Sequence, residues 1–230
     1  MLKRTCDAVA AALGLALLSP LFVVTAILVR LTSRGPVFFL QERIGRGGQP
    51  FFILKFRSMV PDAAAKGGPI TFGGDSRITP LGRLLRKTKV DELPQLINVL
   101  RGDMSLVGPR PEVPRYVEMF RADYDEILRV RPGITDLASI KFRDEATLLG
   151  MASDPEAEYA ERVLPEKIRL AKEYVQRQSL WLDLSIILGT LFHLAGDHLV
   201  RSPQKDRNKE CESEMSKHDT NRSQPVGGPP

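Results

Sequence analysis

The sequence of 230 residues predicts an α/β fold that is mostly helical. It should carry an N-terminal re-entrant membrane helix-break-helix, a small β-hairpin and interfacial amphipathic helices. Three observations lead there. Residues 8–29 hold no charged side chain, with Ser19-Pro20 near the middle. Two short strand-like runs flank a glycine-rich turn, which reads as a hairpin. Most later apolar residues recur at helical spacing. The length allows one sizeable core with an anchor and a tail. The expected regions are 1–34 as membrane anchor, 35–200 as main domain and 201–230 as a disordered polar tail.

Composition narrows the class of partner. Apolar residues make up 43% and charged residues 27%, so the chain as a whole is not of disordered type. The formal charge of +5 suits nucleic acid, anionic lipid or a phosphate-bearing substrate, and charge alone does not choose. The only cysteines, Cys6 and Cys211, and the three histidines, His193, His198 and His218, show no metal-ligand spacing. A disulfide and a zinc site are therefore not expected. No nucleic-acid motif occurs, and the aromatic residues do not interleave with a basic stripe, so a nucleic-acid partner is not expected either.

At 1.5 Å per residue, residues 8–29 would reach roughly 33 Å as a straight helix, about the hydrocarbon thickness of a bilayer. A cleaved signal peptide is the other apolar possibility, since Lys3 and Arg4 precede the run and Val24-Thr25-Ala26 resembles a cleavage site. The run is longer than a usual signal core. Pro20 removes a backbone donor in mid-run and frees the carbonyl of Ala16, to which the Ser19 hydroxyl can back-bond. Basic residues flank both ends, Lys3 and Arg4 before and Arg30 and Arg34 after, which favours both ends in the cytoplasm. A bent segment that enters and leaves one leaflet satisfies both facts. A spanning helix that tolerates a central proline remains open at this level.

Residues 37–40 and 51–56 read as strands around Gly45, Gly47 and Gly48. Residues 61–80 are loop-like. Residues 81–87 form a short basic amphipathic helix, with Leu81, Leu84 and Leu85 on one side and Arg83, Arg86 and Lys87 open to anions. Residues 93–100 give a helix closed by Gly102, and residues 114–130 give another. Residues 155–178 are helical with an interruption at Pro165. Residues 180–194, with Trp181 at their start and Asp183 within, are too short to span well and suit an interface or a core.

The chemistry concentrates in residues 90–112. Asp91 and Glu92 are adjacent carboxylates, and Pro94 falls where the first turn of a helix would be. The positive helix end would favour their ionised forms. An ionised carboxylate can attack phosphorus or hold a divalent cation. The plainer reading makes Asp91 an acidic cap and Glu92 a solvated first-turn residue. The sequel weighs against that. Gly108-Pro109-Arg110-Pro111 is a rigid turn presenting one guanidinium, a group suited to bidentate phosphate binding.

With these residues in view the chain resembles the bacterial sugar transferase family, the monotopic polyprenol-phosphate phosphoglycosyl transferases. The resemblance runs over about residues 3–197, in order. It begins with Lys3-Arg4 through Asp7, Ser19-Pro20 in its apolar run, and Gly35-Pro36-Val37-Phe38-Phe39. Gln41-Glu42-Arg43-Ile44-Gly45, Lys55-Phe56-Arg57-Ser58-Met59 and Arg77-Ile78-Thr79-Pro80-Leu81-Gly82-Arg83 follow. The acidic block and Val130-Arg131-Pro132-Gly133-Ile134-Thr135 complete it. The lack of further N-terminal membrane helices makes it similar to the minimal catalytic form.

The resemblance implies a mechanism. Asp91 would attack the sugar-linked phosphate of a UDP-sugar, UMP would leave, and polyprenol (undecaprenol) phosphate would take the phosphosugar from Asp91. Glu92 would deprotonate or orient the acceptor phosphate, and Mg2+ held at Asp91 would offset diphosphate charge. Arg110, Lys55 and Arg57 would bind phosphate oxygens, with Pro109 and Pro111 holding Arg110. It further implies the cytoplasmic face of the bacterial inner membrane, a first step in surface-glycan or glycoprotein assembly, downstream glycosyltransferases as users of the product, and room for a homodimer.

After Pro132-Gly133-Ile134-Thr135 the chain departs from many relatives, reading Asp136-Leu137-Ala138-Ser139. Arg143 and Glu145 follow as candidate sugar or uridine contacts, and a modified N-acetylated amino sugar is the expected donor type. The rival function is a membrane-tethered scaffold whose catalytic motif has decayed. The intact Asp91-Glu92 pair and proline-flanked turn weigh against it.

Overall fold

The computed structural model describes residues 2–68 and 70–196. The expected tail, 201–230, lies outside them, as do Pro69, His198, Cys211 and His218. Residues 1–190 form one compact unit, and a second begins at Leu191 within the last helix.

Helix α1 runs from Leu2 to Thr32, with Pro20 inside it. The interruption at Ser19-Pro20 takes the form of a missing backbone bond, not a gap in the helix. Ser19 Oγ donates to the Ala16 carbonyl at 2.9 Å, supplying a donor where proline has none. α1 is the one helix among the described residues long and apolar enough to cross a membrane. It is held at both ends by the same unit. Near its start Lys3 pairs with Asp183 at 2.6 Å, Arg4 donates to the Val99 carbonyl at 2.5 Å, and Asp7 accepts from Ser105 Oγ at 2.8 Å. Near its end Val29 packs with Phe56 and Leu85, and Phe22 meets the Phe56 ring edge-on at 5.3 Å. Leu13 and Leu17, on the outer face, remain exposed.

The hairpin is β1 (Phe38–Ile44) and β2 (Pro50–Phe56), antiparallel, with Phe38 opposite Phe56. The loop that follows is clasped by Arg77, which pairs with Asp75 at 2.7 Å and donates to the carbonyls of Gly68 and Ile70. Helix α2 (Pro80–Lys87) starts where the Thr79 hydroxyl accepts from Gly82 N. Helix α3 (Gln95–Arg101) stops at Gly102, whose φ of +94° suits a residue without a side chain. Asn98 fastens α3 to β2, accepting from Leu54 N at 3.0 Å and donating to the Phe52 carbonyl at 2.8 Å.

Strands β3 (Ser105–Val107) and β4 (Gly133–Thr135) pair in parallel. Three-residue strands carry too little pattern to be seen in the sequence. The single helix expected over 114–130 is two, α4 (Pro114–Met119) and α5 (Arg121–Ile127), because Phe120 leaves the helical region at φ −117°, ψ 39°. Helices α6 (Leu137–Lys141) and α7 (Glu145–Met151) follow. The expected interruption at Pro165 appears as a π turn over Tyr159–Val163, between α8 (Pro155–Glu158) and α9 (Leu164–Arg177). The wider turn precedes the proline, whose ring would crowd the carbonyl four residues back. Helix α10 (Leu180–Gly196) completes the order. The largest buried cluster joins α4, α5, α7, the π turn and α9, with Tyr116, Leu149 and Leu164 at its centre.

Candidate active site

Asp91 and Glu92 lie on a 3₁₀ turn, Val90–Glu92, between α2 and α3. Lys89 turns the chain into it with a φ of +57°, the only positive φ of a non-glycine among the described residues. An L side chain pays a conformational penalty there, which the surrounding packing must overcome. Pro94 precedes α3 as its cap rather than starting its first turn.

The two carboxylates have opposite surroundings. Glu92 Oε1 accepts from Lys55 Nζ at 2.8 Å and from Arg110 Nη2 at 2.5 Å. Burial pushes its carboxyl up, but Arg110 and Lys55 together push harder and hold it well below the usual range. Asp91 is 5% exposed, and its Oδ1 has no hydrogen-bond partner in the protein. Burial first, and the Glu92 charge second, push its carboxyl up against the opposing pull of Lys55, Arg86 and Lys89. The helix end that was to favour ionisation of both is outweighed at Asp91 by desolvation.

Lys55 comes from β2 and is pushed down by burial, which Glu92 opposes. Arg110 is raised, chiefly by Glu92. Its turn is fixed from three directions. The Arg110 N–H donates to Asp136 Oδ2 at 3.1 Å, the Pro109 carbonyl accepts from Gly133 N at 3.0 Å, and the Pro111 carbonyl accepts from Arg43 Nη1 at 2.9 Å. A side chain on Gly108, just past β3, would strike the Arg131 carbonyl, and one on Gly133 would strike Gly108, so the turn can lie against the start of β4 only with glycine at both positions. Glu112, buried behind the turn, takes the Tyr159 hydroxyl at 2.5 Å.

The structure thus brings Asp91, Glu92, Lys55 and Arg110 together, with Pro109 and Pro111 shaping the turn. Arg57 stands apart. Its Nη2 donates to the Ser33 carbonyl and hydroxyl, both at 2.7 Å, so it fastens the end of α1 rather than facing Glu92. Glu145 pairs with Lys167 at 2.6 Å, and its charge reaches Arg110. Arg143 is half-buried between α6 and α7. Ser19 and Pro20 lie on the outer part of α1. Arg86, read from the sequence only as open to anions, is instead largely enclosed, bonded to Ser58 Oγ at 2.8 Å and within the field of Asp91. Asp136, in the segment that departs from relatives, caps α6 through Ser139 N at 2.7 Å as well as holding Arg110. Arg43 sits in the Gln41-Glu42-Arg43-Ile44-Gly45 motif, and Tyr159 lies in no motif. No sequence signal joins either to a turn so far along the chain.

A hairpin and a long apolar helix thus frame an acidic pair in which Lys55 and Arg110 bind Glu92 and leave an Asp91 oxygen unpaired. Over residues 1–197 it matches the bacterial sugar transferases and belongs to that family. It is 40% identical over 197 residues to the UDP-N-acetylgalactosamine-undecaprenyl-phosphate N-acetylgalactosaminephosphotransferase of Aeromonas hydrophila, covering 83% of this chain and 43% of that protein. It is 42% identical over 197 residues to the UDP-glucose:undecaprenyl-phosphate glucose-1-phosphate transferase of Caulobacter vibrioides, covering 82% and 68%. The exopolysaccharide production protein ExoY of Rhizobium meliloti is 38% identical over 206 residues, covering 83% and 84%. The chain therefore spans less than half of the Aeromonas relative and most of ExoY.

Proposed function

We propose that this chain transfers a sugar-1-phosphate from a UDP-sugar to undecaprenol phosphate, at the cytoplasmic face of the inner membrane. The observation that carries the reading is the unpartnered, buried Asp91 oxygen beside a glutamate already neutralised by Lys55 and Arg110. Asp91 is the group left free to react. The names of relatives at about 40% identity support the donor and acceptor classes. Those names differ in the sugar, so the sugar does not follow from likeness.

In the first step an Asp91 oxygen bonds to the sugar-linked phosphorus, and the bond from that phosphorus to the bridging oxygen breaks. UMP leaves with the electron pair. In the second step an oxygen of undecaprenol phosphate bonds to the same phosphorus and the Asp91 carboxylate departs. The product is an undecaprenol diphosphate sugar, and the carboxylate is restored. Glu92, held well below the usual carboxylate range, is a poor proton acceptor. Its part is to hold Lys55 and Arg110 where equatorial phosphate oxygens develop charge.

Asp91 also suits Mg2+. Among the described residues no group of three or more His, Cys, Asp or Glu could hold a metal alone. One free carboxylate oxygen with diphosphate oxygens as the other ligands is a usual magnesium environment. When bound, the ion would offset diphosphate charge.

Incubation with a donor labelled in the sugar-linked phosphate, without acceptor, tests the reading. Label should appear on the Asp91 peptide with release of UMP, and Asp91→Asn should lower turnover about a thousandfold or more. Transfer with no labelled protein, and full activity of the Asn variant, would refute it.

A further inference from the structure

Gln95 is 1% exposed, and neither Oε1 nor Nε2 of its carboxamide has a partner. A buried polar group left unpaired is destabilising, and native proteins keep few of them. The position of Gln95 gives this meaning. Leu93 and Pro94 have helical dihedrals, −55°, −34° and −59°, −16°, so the 3₁₀ turn and α3 follow one helical path. Asp91, Gln95 and Asn98 then fall on one face, at spacings of four and three. Asn98 shows the structural use of an amide on that face, since it is 0% exposed and both ends of its carboxamide are bonded to β2. Gln95 has no such use. The other unpaired atom on the face is Asp91 Oδ1.

We propose that Gln95 is a donor-binding residue, its Nε2 donating to a phosphate oxygen of the nucleotide-sugar diphosphate held against Asp91. The inference rests on the functional reading above. Positions four apart on a helix are roughly 5–6 Å apart at Cβ. A glutamine side chain therefore reaches atoms bonded to the phosphorus that Asp91 attacks, and the acceptors there are phosphate oxygens. The carboxamide oxygen then serves a water or hydrated cation on the same diphosphate. A group kept unpaired for a ligand also sets stability against function.

Gln95→Met tests this, because it keeps the length and removes both polar atoms. The probe is the UDP-sugar that the wild-type protein turns over, found from a panel of UDP-hexoses and plain or modified UDP-N-acetylamino sugars. Without donor the variant should melt about 2–4 °C higher than wild type. The rise in Tm that donor gives wild type should fall by more than half, and KM for the donor should rise about tenfold. Gln95→Glu, which sets a charge against the phosphate, should raise KM further. A lower Tm for Gln95→Met, or a KM unchanged in either variant, overturns the inference while wild-type turnover leaves the functional reading standing. A wild-type protein that neither releases UMP from, nor is stabilised by, any member of that panel overturns both.

Discussion

Asp91 and Glu92 are neighbours in sequence with identical chemistry, yet the fold drives them apart. Glu92 is surrounded by cations and stays ionised, while Asp91 is buried with one oxygen bare and holds its proton more tightly than an ordinary aspartate. Pairs of acids separated in this way mark divided roles. A stability effect follows from the raised carboxyl. Below the ordinary aspartate range, about pH 4, both folded and unfolded chains carry the proton and Asp91 makes no difference. Above the folded value the carboxylate is charged in both states and opposes folding. Asp91→Asn should therefore melt higher than wild type at pH 8, in a chelating buffer without donor, and the difference should close near pH 4. Equal melting at pH 8 would mean that Asp91 is solvated. Removing the Glu92 charge should act in the opposite sense, because it leaves Lys55 and Arg110 without their anion.

Among the elements, α1 sets the relation to the membrane. Its 31 residues would span about 46 Å if straight, enough to cross a bilayer. Length alone cannot distinguish crossing from returning. The attachments bear on that question: Lys3 and Arg4 are bound to α10 and α3, and Val29 and Ser33 to Arg57 after β2. Lys3 and Arg4, which flank the apolar run, are thus engaged with a carboxylate and with backbone carbonyls of the protein. Ends tied to one body predict that both lie on one side of a membrane. Single cysteines at Leu2 and Arg34, with Cys6 and Cys211 replaced, should both resist an impermeant maleimide in intact cells and label after lysis. Labelling of position 2 from outside would establish a crossing helix. Position 35 is unsuitable, since a side chain on Gly35 would strike Arg57.

For the whole molecule, the outward apolar surface of α1 is not alone. Helix α10 buries Ile186 in the core with Tyr174 and Val107, yet leaves Leu184 and Leu188 exposed, and Trp181 is 81% exposed. Asp183 lies on its inner side, where Lys3 at 2.6 Å and the Tyr174 hydroxyl at 2.7 Å meet it. The helix is thus core on one face and suited to an interface on the other. Trp181 is the only tryptophan of the chain, so its fluorescence reports this face alone. In vesicles containing brominated lipid its emission should be quenched several-fold, and acrylamide should quench it weakly. Free access of acrylamide with no effect of bromine would place α10 in water.

The sequence by itself determined the hairpin, α2, α3, the apolar helix and the acidic and proline-flanked motifs, because each depends on spacing within about a dozen residues. Ser19 and Ala16 belong to the same kind, since one turn of helix brings them together. The tertiary structure alone decided what lies far apart in the chain. It separated Arg57 from Lys55 although both stand in one short motif, because Lys55 lies within β2 and Arg57 just past its end, where it meets the end of α1 instead. It paired β3 with β4, broke the helix at Phe120, and joined Arg43, Glu112 and Tyr159 behind Arg110. It also gave neighbouring carboxylates opposite protonation tendencies, since desolvation and the nearness of cations are properties of folded surroundings and not of residue type.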